Sequence, residues 1–239
     1  MAAVNHGRVF LVGAGPGAPD LLTLRALRLL QQADIVLHDA LVHPETLALA
    51  SKAKLVQVGK RCGRHATAQS FINKRLVDAA RRYACVVRLK GGDPMLFGRA
   101  QEELDALAAA GITAEVVPGI TAALAASAAL GVSLTRRGLS RHVCLVTPRV
   151  AQESASASDN DWVSTLLLND TAVIYMGATQ ATAIASALIA RRRNSPFRDL
   201  NDFNARLSGV DGDSERLSVA TQFFLVNGRV SMREAMMQV

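Results

Sequence analysis

The chain has 239 residues, half of them apolar, which predicts a globular, soluble protein with a core large enough for one or two domains. No apolar run is long enough to span a membrane and no signal peptide is recognisable, so we expect a cytoplasmic protein without a membrane partner. The net charge of +7 predicts an acidic partner, and because only 4% of the residues are aromatic, a multiply charged small molecule is expected instead of nucleic acid.

Apolar strand patterns and helical patterns alternate along the first half of the chain. The predicted strands are 8–13, 34–38, 54–58, 85–89 and 114–117, and the predicted helices are 20–32, 44–50, 69–82 and 99–110. This alternation predicts a parallel sheet with right-handed crossovers. Because ligands bind outside the carboxyl ends of such strands, the loops that begin at Gly13, Asp39, Gly59 and Gly91 should face one crevice.

A second α/β domain is predicted after Pro118 and Gly119, which gives domains of 1–118 and 119–239. Its elements are the Ala-rich helix 121–130, strands 142–147 and 172–176, helix 179–191 and strand 221–226. The pattern becomes weaker beyond Asn194.

The segment 8–20, RVFLVGAGPGAPD, predicts a buried strand followed by a glycine turn that a ligand can approach closely. Gly13, Gly15 and Ala18 fit the G-x-G-x-x-G/A pattern of dinucleotide-binding proteins, in which Asp39 would bind the ribose. A nicotinamide or flavin enzyme is therefore one interpretation of this turn.

Two prolines favour a different ligand for the same turn. Pro16 and Pro19 remove two N–H donors from the segment that would have to bind a pyrophosphate. A cofactor without phosphates, packed against a proline ring, fits the turn better. A tight turn without any ligand remains a third interpretation.

The cysteines give no sign of a metal site. Cys62, Cys85 and Cys144 stand far apart, form no C-x-x-C pair and have no histidine cluster beside them. We therefore predict no metal ion.

Five separated segments, taken together, are highly specific for one family. In chain order they read VGAGPGAPDLLTLRAL, DALVHPETL, VGKRCGRH, RLKGGDPMLFGR and VVPGITAALAASAALGVSLT. In this order and at these spacings they resemble the tetrapyrrole methylase family, in particular its members that methylate uroporphyrinogen III. The likeness is close over residues 7–147.

The resemblance implies two α/β domains, each a mixed, largely parallel sheet flanked by helices, with the active site between them in a homodimer. It implies S-adenosylmethionine as methyl donor and a tetrapyrrole polycarboxylate as substrate. The implied reaction places two methyl groups on pyrrole carbons of uroporphyrinogen III and gives precorrin-2 by way of precorrin-1, a precursor of sirohaem and cobalamin.

The resemblance also implies roles for individual residues. Asp39 matches the proton acceptor and Lys60 the proton donor of the family. The positions that match cofactor-binding residues are Pro16, Gly91, Gly92, Asp93, Leu96, Thr121, Ala122 and Met176.

Ordinary structural roles are available for several of these residues. Asp93 precedes a proline and is suited to cap a turn, Thr121 is suited to begin a helix, and Met176 fits a buried strand end. Lys60 belongs to a short basic stretch, which is usually a solvated loop.

The implied substrate agrees with the basic loops. Uroporphyrinogen carries eight carboxylates, and guanidinium groups bind carboxylates through two parallel hydrogen bonds. The candidate substrate-binding residues are Arg61, Arg64, Arg99, Arg136, Arg137 and Arg141.

Two other functions remain open within the same fold. The first is methylation of a later corrin precursor. The second is a binding module without catalytic activity, because the acidic-amide stretch that the family carries after helix 179–191 is absent from 194–213.

Overall fold

The computed structural model describes residues 6–58, 66–138, 140–148, 166, 168–177 and 184, and the chain forms two compact units, Met1–Ala122 and Ala123–Val239. The predicted strand 221–226 lies outside the described residues, and so does helix 179–191 apart from Ile184. The division of the chain into domains at residue 118 stays a prediction. Each unit is described by itself.

The first unit is built on a five-stranded parallel sheet with the strand order β3-β2-β4-β1-β5. The strands are β1 (Arg8–Gly13), β2 (Ile35–His38), β3 (Lys54–Gln57), β4 (Cys85–Lys90) and β5 (Ala114–Val117). The helices are α1 (Leu24–Gln32), α2 (Pro44–Ala48), α3 (Ala66–Ala80) and α4 (Ala100–Ala109). The predicted α/β class is confirmed, and both described sheets are parallel.

The two faces of this sheet pack against different helices because successive strand residues point to opposite sides. On one face Leu11 belongs to the same core as Leu76 of α3 and Leu107 of α4. On the other face Val12 belongs to a core with Leu30 of α1. The unit therefore has three layers, with α3 and α4 on one side and α1 and α2 on the other.

This arrangement creates a topological switch point at β4. The chain leaves β1 and β2 toward the α1 and α2 side, but it leaves the neighbouring strand β4 toward the α3 and α4 side. Open α/β sheets form their ligand crevice outside the carboxyl ends of such strands. Gly13 is the last residue of β1, and Asp39 and Gly91 directly follow β2 and β4 at these carboxyl ends, whereas Gly59 lies outside the described residues.

The helix predicted over 20–32 begins later than expected. A 3₁₀ turn, Pro19–Leu21, comes first, and α1 starts only at Leu24. The reason is local: Thr23 caps α1, because its hydroxyl accepts a hydrogen bond from the N–H of Ala26 at 3.1 Å.

Two large apolar side chains of these helices are exposed. Leu24 of α1 is 77% exposed, since the buried face of this short helix runs through Ala26 and Leu30. Phe71 of α3 is 50% exposed, and the guanidinium of Arg75 lies 4.7 Å from the centre of its ring.

The described part of the second unit contains two parallel strands, β6 (Val143–Val146) and β7 (Thr171–Ile174). Helix α5 (Ala122–Leu130) leads into it. All four residues of β7 are buried, and the strand ends before the predicted 176 because Met176 has a φ of +57°. Among the helices that the structure describes, none is long and apolar enough to cross a bilayer.

Asp170 holds the start of β6 beside that of β7. Its Oδ2 accepts hydrogen bonds from the N–H groups of Arg141 and His142 at 2.7 and 3.0 Å, and His142 Nδ1 lies 3.1 Å away. The Arg141 hydrogen bond, followed by that of His142, holds the pKa of Asp170 below its ordinary 3.8. The ionised carboxylate therefore stabilises the fold above about pH 3.8, and this contribution is lost as the pH falls through the lowered value.

We expect Asp170→Asn to lower the Tm slightly at pH 7, because the neutral amide is a weaker acceptor for two N–H groups. The difference from the unsubstituted protein should shrink when thermal melts are repeated below pH 3.8. Asp105→Asn is the control, since the Asp105 carboxylate accepts from the Gln101 side chain and not from two backbone groups. Equal Tm values for Asp170→Asn and the control at pH 7 would contradict the expectation.

Candidate active site

The loops after β1 and β4 are joined through their backbones. Gly15 and Gly92 exchange two hydrogen bonds, with N···O distances of 3.2 and 2.7 Å, and the N–H of Ala14 donates to the carbonyl of Lys90 at 2.7 Å. Gly15 and Gly92 have φ values of +71° and +64°, which a side chain would strain. The predicted glycine turn is thus tied to the Gly-Gly-Asp turn beside it.

The loop after β5 reaches the same point. A Cβ atom added to Gly13 would lie 2.6 Å from the Cα of Gly119 and 2.6 Å from the carbonyl oxygen of Gly92. Only glycine allows three backbones to approach this closely. Gly91 differs, because an added Cβ would meet no atom within 4 Å, so open space lies next to it.

Asp93 fastens these loops to one another. Its Oδ2 accepts a hydrogen bond from the N–H of Gly119 at 3.0 Å, and its Oδ1 accepts one from the N–H of Met95 at 2.8 Å. The turn-capping role that the sequence allowed for Asp93 is therefore present in the structure. Its part in cofactor binding stays a prediction.

Asp39, the candidate proton acceptor, follows β2 at the same edge. Its N–H donates to the carbonyl of Leu89 at 3.3 Å, and its Oδ1 accepts from Arg88 Nη2 at 2.5 Å. The Asp39 side chain is 30% exposed, whereas that of Arg88 is only 2% exposed. The Asp39 carboxylate is thus partly exposed to solvent, and Arg88 holds it from the buried side. Lys60, the candidate proton donor, lies outside the described residues.

Arg88 belongs to a buried charge cluster that comprises Asp39, Arg88, Lys90 and Glu103. Arg88 Nε donates to Glu103 Oε1 at 3.1 Å, and Lys90 Nζ donates to the same oxygen at 2.9 Å. Arg88 Nη1 donates to the carbonyls of Leu37 and Leu89 at 3.4 and 3.2 Å. Two cations and two carboxylates therefore balance in this cluster, in which Arg88, Lys90 and Glu103 are buried and Asp39 is partly exposed.

The surroundings of the charge cluster change the pKa values of its bases. Burial lowers the pKa of Lys90, and the positive charge of Arg88 lowers it further. Burial alone would also lower the pKa of Arg88, but the carboxylates of Asp39 and Glu103 outweigh it and the pKa is raised. Arg88 is thus a permanent cation.

Arg88, Lys90 and Glu103 were not among the site residues expected from the sequence. The predicted strand 85–89 ended one residue too early, since β4 includes Lys90 and buries it. A signal was available: Arg88 and Lys90 alternate with apolar residues in a strand, and Glu103 shares the apolar face of α4 with Leu107.

The remaining candidate cofactor residues belong to both units. Pro16 and Leu96 are half-buried in the first unit, and Thr121 precedes Ala122, the first residue of α5. Met176 belongs to the second unit, where its φ of +57° is unusual for a residue with a side chain. Nearby in that unit, Tyr175 Oη accepts a hydrogen bond from the N–H of Ala123 at 3.3 Å.

The candidate substrate-binding arginines are exposed where the structure describes them. Arg99 donates to Glu102 through Nε at 2.6 Å and Nη2 at 2.7 Å, and these bonds raise its pKa. Arg136, Arg137 and Arg141 are exposed in the second unit, whereas Arg61 and Arg64 lie outside the described residues. Within the described ranges, no three His, Cys, Asp or Glu residues are grouped to hold a metal ion.

Known proteins similar to this chain fall into one group. The family described as tetrapyrrole (corrin/porphyrin) methylases matches residues 8–198. A uroporphyrinogen-III C-methyltransferase of Pseudomonas aeruginosa is 42% identical over 235 residues, which is 94% of each chain. Siroheme synthase 1 of Yersinia enterocolitica is 48% identical over 192 residues, 80% of this chain but only 40% of that protein.

Solved structures give the same result. A uroporphyrin-III C-methyltransferase of Thermus thermophilus complexed with S-adenosyl homocysteine has a TM-score of 0.65 and 42% identity, over 79% of this chain and 78% of its own. A cobalt precorrin-4 methyltransferase has a TM-score of 0.65 at 29% identity, over 77% and 74% of the two chains.

We expect Gly13→Ala to destabilise the protein by about 3 kcal/mol, because the new Cβ would press on two backbones that have no room to move. Gly91→Ala is the matched control and should unfold like the unsubstituted protein, since the space next to Gly91 is open. Urea denaturation measures both. Equal midpoints for the two variants would show that the loops do not meet in the way described.

Proposed function

The chain belongs to the tetrapyrrole methylase family, and we propose that it transfers two methyl groups to pyrrole carbons of uroporphyrinogen III, giving precorrin-2 by way of precorrin-1. That it is an S-adenosylmethionine-dependent methyltransferase follows from the family match and its relatives. The identity of 42% to a uroporphyrinogen-III C-methyltransferase, over 94% of both chains, is the observation that carries the choice of substrate.

The loops at the carboxyl ends of the strands in the first unit fit S-adenosylmethionine as a ligand. The open space beside Gly91 admits a ligand close to the backbone, and the prolines at 16 and 19 deny it the N–H donors that a phosphate would need. We propose that Pro16, Gly91, Gly92, Asp93, Leu96, Thr121, Ala122 and Met176 bind it. When bound, it supplies a methyl group on a positively charged sulfur.

Alignment is the main task of the protein in this reaction. A pyrrole carbon of a reduced tetrapyrrole is electron-rich, so the residues that hold the substrate would mainly have to align this carbon with the methyl group of the donor. As the C–C bond formed, the methyl–sulfur bond would break and S-adenosylhomocysteine would leave. We propose that the candidate arginines, Arg61, Arg64, Arg99, Arg136, Arg137 and Arg141, hold the substrate carboxylates.

A proton must leave the ring system after each methyl transfer. We propose that the Asp39 carboxylate accepts this proton, because it is partly exposed at the strand edge while Arg88 holds it from the buried side. Lys60 is the proposed proton donor on the family resemblance. The proposed homodimer rests on the same resemblance.

A second candidate is methylation of a later corrin precursor, which the likeness to a cobalt precorrin-4 methyltransferase favours. The lower identity of that protein, 29% against 42%, places this candidate second. A binding module without turnover is the third candidate.

Purified protein, supplied anaerobically with uroporphyrinogen III and S-adenosylmethionine, should release two equivalents of S-adenosylhomocysteine for each tetrapyrrole. Asp39→Asn should lower kcat by about 100-fold or more, because the amide cannot accept the proton. Mass spectrometry of the product and chromatography of the demethylated donor measure both effects. Release of no S-adenosylhomocysteine would refute the proposed substrate, and full activity of Asp39→Asn would refute the role of Asp39.

Gly91→Ala tests the cofactor site separately from the chemistry. The added methyl group would occupy the open space next to the strand end, so the Kd for S-adenosylhomocysteine should rise about tenfold or more in a calorimetric titration. Gly111→Ala is the control: at a φ of +73° its Cβ is strained but meets no atom within 4 Å, so stability should fall while the affinity stays unchanged. Unchanged affinity in Gly91→Ala would exclude Gly91 from the site.

A further inference from the structure

Glu103 lies where an ordinary helix would carry an apolar side chain. It shares one face of α4 with Ala100 and Leu107, and all three are buried. This face packs on the sheet side that carries Val86, and strand alternation places Arg88 and Lys90 on the same side. A completely buried carboxylate therefore meets two buried cations inside a hydrophobic layer.

Stability alone gives a poor account of this arrangement. Glu103 Oε2 has no hydrogen-bond partner among the described residues, and an unsatisfied buried polar atom destabilises a fold. Well-packed apolar residues of similar volume often stabilise a fold as much as a buried ion pair or more. The presence of Glu103 on this face therefore calls for a second explanation.

The hydrogen bonds of Arg88 connect Glu103 to the strand edge. The planar guanidinium donates from Nε to Glu103 Oε1 at 3.1 Å and from Nη2 to Asp39 Oδ1 at 2.5 Å. Because the guanidinium is a rigid fork, fixing one side of it fixes the direction of the other. Glu103 thereby determines where Arg88 holds the Asp39 carboxylate.

Lys90 supplies the second buried positive charge of the cluster. Its ammonium donates to the same Glu103 oxygen at 2.9 Å and is almost entirely buried. Without the Glu103 charge, two buried cations would face Asp39 as their one remaining carboxylate within the charge cluster. The guanidinium would then keep only the Nη1 bonds to the carbonyls of Leu37 and Leu89, at 3.4 and 3.2 Å, besides Asp39. It could turn about these bonds, and the Asp39 side chain would turn with it.

We propose that Glu103 is a positioning residue for Asp39, acting through Arg88, with Lys90 balancing its charge. The proposal rests on the proposed function of Asp39 as proton acceptor. Glu103 does not touch substrate in this scheme; it fixes the orientation of the group that does.

Glu103→Gln keeps the shape of the side chain and removes its charge. We expect kcat to fall about tenfold or more while KM for both substrates stays within about twofold, because binding groups are untouched and the proton acceptor is misplaced. Glu103→Gln combined with Lys90→Met restores the charge balance and should recover most of kcat. Glu115→Gln is the control, since Glu115 pairs at the surface with Arg25 and should leave kcat unchanged.

A double-mutant cycle separates positioning from a general structural effect. If Glu103 acts through Asp39, adding Glu103→Gln to Asp39→Asn should lower kcat no further, whereas independent losses would multiply. Multiplying losses, or a Glu103→Gln variant with unchanged kcat, would overturn the proposal while methyl transfer by the unsubstituted protein still supports the proposed function. If Glu103→Gln does not fold, Glu103→Asp takes its place in the cycle and in the crystal structure, because it keeps the charge but draws the carboxylate back from Arg88.

A crystal structure of the Glu103→Gln variant tests the same point without any assay. We expect the Asp39 carboxylate to move away from the position that Arg88 gives it, with the backbone of α4 unchanged. An Asp39 side chain in its original position would overturn the proposal. This measurement holds even if uroporphyrinogen III is not the substrate, so the failure of one proposal can be told from that of the other.

Discussion

Much of the first unit depends on the hydrogen bonds of one buried guanidinium. Arg88 extends from the central strand β4 and binds the carbonyl of Leu37 in β2, its own strand at Leu89, Glu103 of α4 and Asp39 beyond β2. Its planar guanidinium therefore connects two strands, a helix and the loop after β2. A buried cation in this position is tolerated only because each partner is placed to receive it. The result is a carboxylate at the strand edge that is held from the interior and open to solvent on its other side.

The glycine loops at the carboxyl ends of the same strands allow the backbone to pack closely. Gly13, Gly92 and Gly119 bring three backbones within contact distance, and Asp93 fastens two of the loops by accepting backbone hydrogen bonds. Beside these packed loops, the space at Gly91 is open. A backbone that these hydrogen bonds hold in place, with open space beside one residue, is suited to a neutral or cationic ligand. Such a ligand is bound mainly by shape complementarity and less by charged partners. This fits the sulfonium donor of the family.

The sequence was sufficient to predict the parts of this edge that depend on local rules. Glycine and proline patterns, strand alternation and the βαβ order predicted the parallel sheet and the loops at Gly13, Asp39 and Gly91. The predicted start of α1 was wrong because the Thr23 hydroxyl caps the helix, so that the earlier residues Pro19–Leu21 form a separate 3₁₀ turn. The charge cluster was missed because the partners of Arg88 are 15 and 49 residues away in the chain. Such pairings depend on tertiary contacts, and only the unusual polarity of β4 and α4 pointed to them.

The alternation of charges along β4 also has a consequence for how the chain folds. Val86, Arg88 and Lys90 point to one side of the sheet, while Val87 and Leu89 point to the other. If β4 paired one residue out of step with β1 and β2, both cations would enter the purely hydrophobic layer beneath α1, far from any carboxylate. The buried ionic partners therefore favour the native strand pairing. A misaligned β4 would bury both cations without carboxylates, and only the native alignment gives both cations their partners.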